Sequence, residues 1–531
     1  MKSSIWAVLI LFAIWSIPGG AQVSVTTSRN DNSRDGQNLS ETILTPGNVN
    51  VAAFGKLFSH TVDGDVYAQP LYVPNVTVPG LGVHNLVYVV TEHDSVYAFD
   101  ADSNTGLNSA PLWHSSFVRP RHGITTVSYL DLNCPTIIPE VGITSSPVID
   151  LDTGTMYVLA RTKENGNYVQ RLHALDIATG EERSGSPVMI RAAVVVSGEG
   201  STRRSIAFDP FHEAQRAGLL LQNGGVYIAW ASSCDNKPFH GWVMSYDKTT
   251  LQQTAAWIST PQGQDGGIWQ SGTGLSADSD FNVFFATGNG TFNSLKGDFG
   301  DSVIKLVSPA GGNNFQVADY FTPYDQSILN NIDSDVGSGG SLLLPDQGQR
   351  APHQHLLIQV GKEGSIYLID RDHMGHYNPR NNHQIVQDLE NAIGGLWSTP
   401  AWWNNNVYFG SIDDNLSQFT FDPATGLLST SAIHVSPTRF GYPGPTPSIS
   451  ANGTSDAILW ALQTDAFGQG SAILHAYDAT DVATELYNSS QNSSRDDPGG
   501  AIKFTVPTVA NGKVYVPAMR RLTVYGLLGK K

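Results

Sequence analysis

The chain has 531 residues, with 53 Gly and 28 Pro spread along it and only 15% charged side chains. A formal charge of −17, with no basic run against it, excludes nucleic acid and anionic membrane surfaces as natural partners. Apolar residues make up 40% and aromatic residues 10%, which is enough for a large buried core and unlike a disordered chain.

In chain order, the first feature is a leader. Lys2 precedes an apolar run over residues 5–17, broken only by Ser16, and Pro18-Gly19-Gly20-Ala21 offers a small-residue cleavage site. The run is short for a spanning helix, so residues 1–21 read as a signal peptide. No second hydrophobic span follows. The expectation is a secreted or periplasmic protein that starts near Gln22, with residues 22–55 as an N-terminal extended segment and 56–531 as a single domain. Asp31-Asn32-Ser33-Arg34-Asp35-Gly36 has a superficial likeness to a calcium loop, but Thr42 stands where a closing Glu belongs.

From residue 56 onward one unit recurs. A strand containing Tyr is followed by a turn, then by a second strand that runs into an Asp-x-x-Thr-Gly-like turn. It reads Tyr88, Asp100, Thr105-Gly106, then Tyr157, Asp176, Thr179-Gly180, and again Tyr408, Asp422, Thr425-Gly426. The segments alternate β-branched or aromatic residues with polar ones. Repeats fall at 70–117, 147–190, 218–257, 272–321, 340–386, 400–435, 447–487 and 507–528. Such an array predicts an all-β, eight-bladed β-propeller, or a seven-bladed one if an irregular repeat is an insertion. The last repeat lacks an outer strand, and residues 56–62 form a strand pattern with no earlier partner. Docking that strand on the last blade would close the ring and remove an open edge.

Four connections, 119–144, 259–271, 322–339 and 378–398, exceed hairpin loops and should build one face and its central pocket. Two cysteines, Cys134 and Cys234, allow one bridge or two separate buried thiols. A bridge would close a loop of about 100 residues, worth on the order of 4–5 kcal/mol in the chain-entropy model. No haem-attachment motif occurs.

The repeat, with Trp113 a few residues after its Thr-Gly, and the opening Asn48-Val49 and Phe54-Gly55, resemble the pyrroloquinoline quinone (PQQ)-dependent alcohol dehydrogenase-like propellers. So do Gly266-Gly267-Ile268-Trp269 leading to Thr287-Gly288-Asn289-Gly290, then Gly361-Lys362, and Gly394-Gly395-Leu396-Trp397. Tyr320 to Asp325 and then Asp333-Ser334-Asp335 resemble the region that carries that family's catalytic acid. The resemblance implies that Trp269 stacks under a quinone and that Trp397 lines the site. Lys362 would contact the quinone carbonyls, and Asn289 and Asp335 would bind calcium, with Asp335 or Asp333 as the base. It also implies a metal-binding Glu before the third repeat's second strand, where Asp235 is the available substitute. A disulfide between adjacent cysteines is implied too, and this chain has no adjacent pair.

These residue types suit the chemistry. Aromatic faces hold a flat quinone, amide and carboxylate oxygens suit a hard cation, and a carboxylate can take an alcohol proton. Each residue also has an ordinary structural reading. Trp269 and Trp397 can be packed loop aromatics, Asn289 a turn residue, Asp333 and Asp335 a solvated acidic turn, and Lys362 a hairpin tip. His353 and His355 alternate on one strand and read as surface residues rather than a metal site. Two functions follow. One is a PQQ- and calcium-dependent dehydrogenase of small alcohols, aldehydes or sugars with an external electron acceptor. The other is a non-catalytic propeller that binds a protein, glycan or cell-envelope ligand.

Overall fold

A computed structural model of the chain describes residues 22–197, 203–308 and 314–529. The leader assigned to residues 1–21 lies outside the described residues. Eight antiparallel sheets form an eight-bladed propeller. Blade 1 runs outward from the axis through Leu71–Val78, Gly82–Val90, Ser95–Asp100 and Trp113–Ser116. The inner strands of blades 2 to 8 are Val148–Asp150, Leu220–Gln222, Ser276–Ala277, Leu342–Leu343, Ala401–Trp403, Ser448–Asn452 and Thr508–Ala510. The period-two pattern is apolar on both faces here, because each blade packs on two neighbours. Val96 and Tyr88 of blade 1 share one buried cluster with Met156 and Val158 of blade 2 and Tyr515 of blade 8.

The ring closes as the sequence implies. Phe54–Thr61 pairs antiparallel with Arg521–Leu527 and becomes the outer strand of blade 8. It begins at Phe54, two residues earlier than the alternation suggested.

The repeat's Tyr has a definite task. Its hydroxyl donates to the carbonyl of the residue just after the repeat's Asp in the next blade. Tyr88 reaches Ile177 O at 3.0 Å, Tyr157 reaches Lys248 O at 2.7 Å, Tyr408 reaches Ala479 O at 2.6 Å, and Tyr515 reaches Ala101 O at 3.3 Å. Trp113 adds to the first of these latches by donating from Nε1 to Ile177 O at 3.0 Å. Its ring lies over Gly180, where φ is +71° and any Cβ would collide with the indole.

The N-terminal segment, expected to be extended, folds through a series of turns and short bridges and seals one end of the axis. It touches the eight inner strands in blade order. Val25 pairs with Tyr72, and Thr26 O accepts from Ile149 N at 2.8 Å. Asn32 donates to Leu221 O at 3.0 Å and accepts from Ala277 N at 2.7 Å. Ser33, Asp35 and Gly36 carbonyls accept from Leu343, Trp402 and Ile449 N–H groups at 3.0, 2.9 and 2.8 Å. Asn38 donates to Val509 O at 3.1 Å.

The residues with the calcium-loop likeness belong to this hub. Arg34 is fully buried and donates to Leu275 O, Ser28 O and Leu219 O at 2.8, 2.7 and 3.3 Å. Arg29 donates to Pro400 O at 2.7 Å and to Pro447 O. Burial pushes both guanidinium groups down to about 10, so both remain charged near neutral pH. Among the described residues no helix is long and apolar enough to cross a membrane.

Candidate functional site

Above the hub, lead-ins to the inner strands of blades 2 to 8 surround a cavity of about 200 Å³. All four long connections contribute to its wall, through Cys134, Trp269, Asp335 and Trp397 among others. Lys362 enters from the hairpin of blade 5, and Asp235 from the turn that follows the second strand of blade 3. Trp269, Lys362, Trp397, Asp335 and Asp235 therefore share one cavity although up to 162 positions separate them in sequence.

Asn289 and Asp333 join this group through hydrogen bonds. The Asn289 backbone N–H donates to Asp335 Oδ1 at 2.6 Å, and its side-chain amide donates to Asp333 Oδ1 at 2.6 Å. Lys362 Nζ lies 2.5 Å from Asp335 Oδ2 and 2.9 Å from Asp333 Oδ1. Gly288, in the Thr-Gly-Asn-Gly turn, makes this approach possible, because a Cβ there would overlap Asp335 Oδ1. The chain bend at Asn289 brings its backbone N–H and side-chain amide to the two acids.

Asp335 is 6% exposed, whereas Asp333 is open to solvent. Burial pushes the Asp335 carboxyl up, against the pull of Lys362 and the Asn289 N–H. Burial disfavours the Lys362 ammonium, but Asp335 and Asp333 outweigh it and raise its affinity for the proton. The Asp235 carboxyl is also pushed up, by burial in the concave wall and by Asp335 and Asp333.

A hard cation meets a partial donor set here. Asn289 Oδ1 is buried and has no hydrogen-bond partner, which fits a metal ligand. Asp335 and Asp235 supply carboxylates on the same wall. Among the described residues no cluster of three acidic, His or Cys side chains occurs, so the set rests on two acids and one amide oxygen. His353 and His355 hydrogen-bond through Nδ1 to Asp370 and Asp372 at 2.7 Å each, which uses them in surface pairs rather than in a metal site.

Several residues of this region carried no motif. Cys134 and Cys234 form a disulfide with a Cα–Cα distance of 5.5 Å, and both line the cavity beside Trp269. A non-adjacent pair thus puts a disulfide in the cavity of a chain without adjacent cysteines. Asp301, fully buried, accepts from Val336 N–H at 3.3 Å and Gln326 at 3.3 Å, and burial holds its carboxyl well above the usual range. Arg216, Tyr442 and Phe504 also line the cavity. The sequence signal for Asp301 was its place beside Gly300 at the start of a strand. The other three stand in lead-ins without any pattern.

No protein-family model matches the chain, and no curated protein matches it. Solved structures do. The chain is similar to the quinohemoprotein alcohol dehydrogenase ADHIIG from Pseudomonas putida HK5, with a TM-score of 0.60 and 14% identity over 96% of this chain and 81% of that one. It is similar to a europium-containing methanol dehydrogenase, with a TM-score of 0.57 and 13% identity over 95% and 98% of the two chains. It also resembles Sqt1 of Saccharomyces cerevisiae, with a TM-score of 0.51 and 9% identity over 90% and 100%. At these identities the likeness defines the class of fold, an eight-bladed propeller shared with quinoprotein dehydrogenases and with other proteins.

Proposed function

We propose that this chain is an exported quinoprotein-type oxidoreductase whose axial cavity takes PQQ and a calcium ion. What supports the reading most is the convergence of Trp269, Asp335, Lys362 and Trp397 on one cavity that also holds a disulfide. Two of the similar propellers are named as alcohol or methanol dehydrogenases. Trp269 would hold one face of the quinone. Asn289 Oδ1, Asp335 and Asp235 would hold the cation. A bound quinone supplies the two-electron acceptor that the chain's side chains lack. Asp335, with Asp333 as the more exposed substitute, takes the hydroxyl proton of a small alcohol, aldehyde hydrate or sugar. Lys362 offers positive charge where oxygen becomes more negative. Electrons pass to a separate acceptor.

A second reading is favoured by one contact. The ion pair of Lys362 and Asp335 at 2.5 Å satisfies both charges without any ligand, which suits a propeller that binds a protein, glycan or cell-envelope ligand on this face without catalysis.

Titration of the purified protein with PQQ and calcium, followed by a dye-linked assay over alcohols, aldehydes and sugars, separates the two. Saturable PQQ binding that Trp269→Ala weakens about tenfold or more is expected. Absence of saturable binding overturns the quinoprotein reading. Binding that Trp269→Ala and Asn289→Ala leave unchanged overturns the residue assignment.

A further inference from the structure

Two cations beneath the cavity lack a counter-charge. Arg216 stands in the lead-in to blade 3, yet its guanidinium lies 3.7 Å from the ring centre of Phe504, in the lead-in to blade 8. The side chain therefore reaches across the axis. Arg216, Phe504 and Thr144 line both the upper cavity and a smaller one beneath it, so they form the floor between the two. Arg216 makes no side-chain hydrogen bond and no ion pair among the described residues, and its Nη2 is buried without a partner.

Lys503, 9% exposed, stands beside it. Its ammonium lies 4.8 Å from the ring centre of Phe467 and 5.9 Å from that of Phe504, and it too has no hydrogen bond or ion pair. The acid that faces Arg216 is Glu92. It is spent on Gly142 N–H and the Thr144 hydroxyl at 2.8 and 3.0 Å, and burial pushes its carboxyl up to about 8. Burial and Arg216 push the Lys503 ammonium down to about 8.

Cation–aromatic contact offsets only part of the desolvation of the buried Lys503 and the half-buried Arg216. In a chain of net charge −17, an uncompensated cationic pair under a cavity is an arrangement completed by an anion. Arg216 presents a planar donor face, which matches the two oxygens of a carboxylate. The aromatic ring under the guanidinium and the neighbouring Tyr442, 6.1 Å from Phe504, suit a flat ligand body.

We propose that Arg216, backed by Lys503, forms an anion-recognition subsite in the cavity floor, and that the ligand of this cavity presents a carboxylate there. The proposal rests on the reading that the axial cavity takes a ligand, and it does not require that ligand to be a quinone.

Calorimetric titration of the purified protein with isophthalate, and separately with inorganic phosphate, tests it. Isophthalate is expected to bind saturably. Arg216→Met is expected to weaken it about tenfold or more, and Lys503→Met less. Because Arg216→Met removes an unpaired, half-buried charge, its thermal midpoint should match or exceed that of the native chain. Failure of isophthalate to bind overturns the proposal, as does equal affinity of native protein and Arg216→Met. A lowered midpoint with unchanged binding also overturns it and makes Arg216 a structural strut. Tighter binding of phosphate than of isophthalate overturns the carboxylate assignment. A PQQ titration of the same variants separates this subsite from the quinoprotein reading. Arg216-dependent isophthalate binding without PQQ binding sinks only the quinone. PQQ binding indifferent to Arg216→Met sinks only the subsite.

Discussion

At the scale of single residues, the site candidates were legible where a motif ties a residue type to a turn. Trp269, Asn289, Lys362 and Trp397 each stand in a Gly-rich stretch whose backbone must approach another closely, and Gly288 shows why: its missing side chain makes room for Asp335. Arg216 and Phe504 had no such signal, because their meeting across the axis depends on the ring's diameter and on no local pattern. The cysteines lie between these cases. Two cysteines in one chain allowed a bridge, but only the placement of residues 119–144 beside the turn after the second strand of blade 3 brings them together. The bridge closes a separation of 100 residues, so Cys134→Ser with Cys234→Ser should lose about 4–5 kcal/mol in equilibrium unfolding under non-reducing conditions. A loss below about 1 kcal/mol would mean that the loop is already constrained in the unfolded chain.

At the scale of elements, the strand Phe54–Thr61 explains how a linear repeat becomes a ring. Its role could be read from an unpaired alternation at one end of the chain and a missing strand at the other, since an open sheet edge is costly. Its packing could not. His60 is 3% exposed, stacks on Phe99 at 4.1 Å between ring centres, and has no partner at Nε2. Burial, only partly opposed by Asp100, lowers its proton affinity to about 4. The folded state thus holds this ring neutral, while the unfolded chain binds a proton near the ordinary value of about 6.5. The His60 contribution is fully present above pH 6.5 and is lost as the pH falls from there towards 4, by up to about 3 kcal/mol. In His60→Phe, unfolding measured across that range should show a shallower acid limb. An unchanged limb would assign the acid sensitivity to other groups.

At the scale of the whole molecule, the N-terminal segment ties the ring at the end of the axis opposite the cavity. Arg34 joins Leu219 and Leu275, the residues just before the inner strands of blades 3 and 4, to the segment's own backbone. Arg34→Met would leave several buried carbonyls without donors and should cost at least about 3 kcal/mol in equilibrium unfolding. A cost near zero would show that the blades hold together without the hub. The period-two repeats and the unpaired strand determined the propeller and its closure from the sequence alone, because a repeated amphipathic hairpin has few ways to bury its faces, while the choice of eight blades over seven came from the structure. The Asp-x-x-Thr-Gly turn and its upstream Tyr were visible too, but their shared purpose, a latch from Tyr88, Tyr157, Tyr408 and Tyr515 to the turn of the next blade, needs two blades side by side. Only the tertiary structure decided what stands on the axis. A closed ring brings lead-ins from distant repeats around one cavity, and no local sequence pattern encodes which side chains meet there.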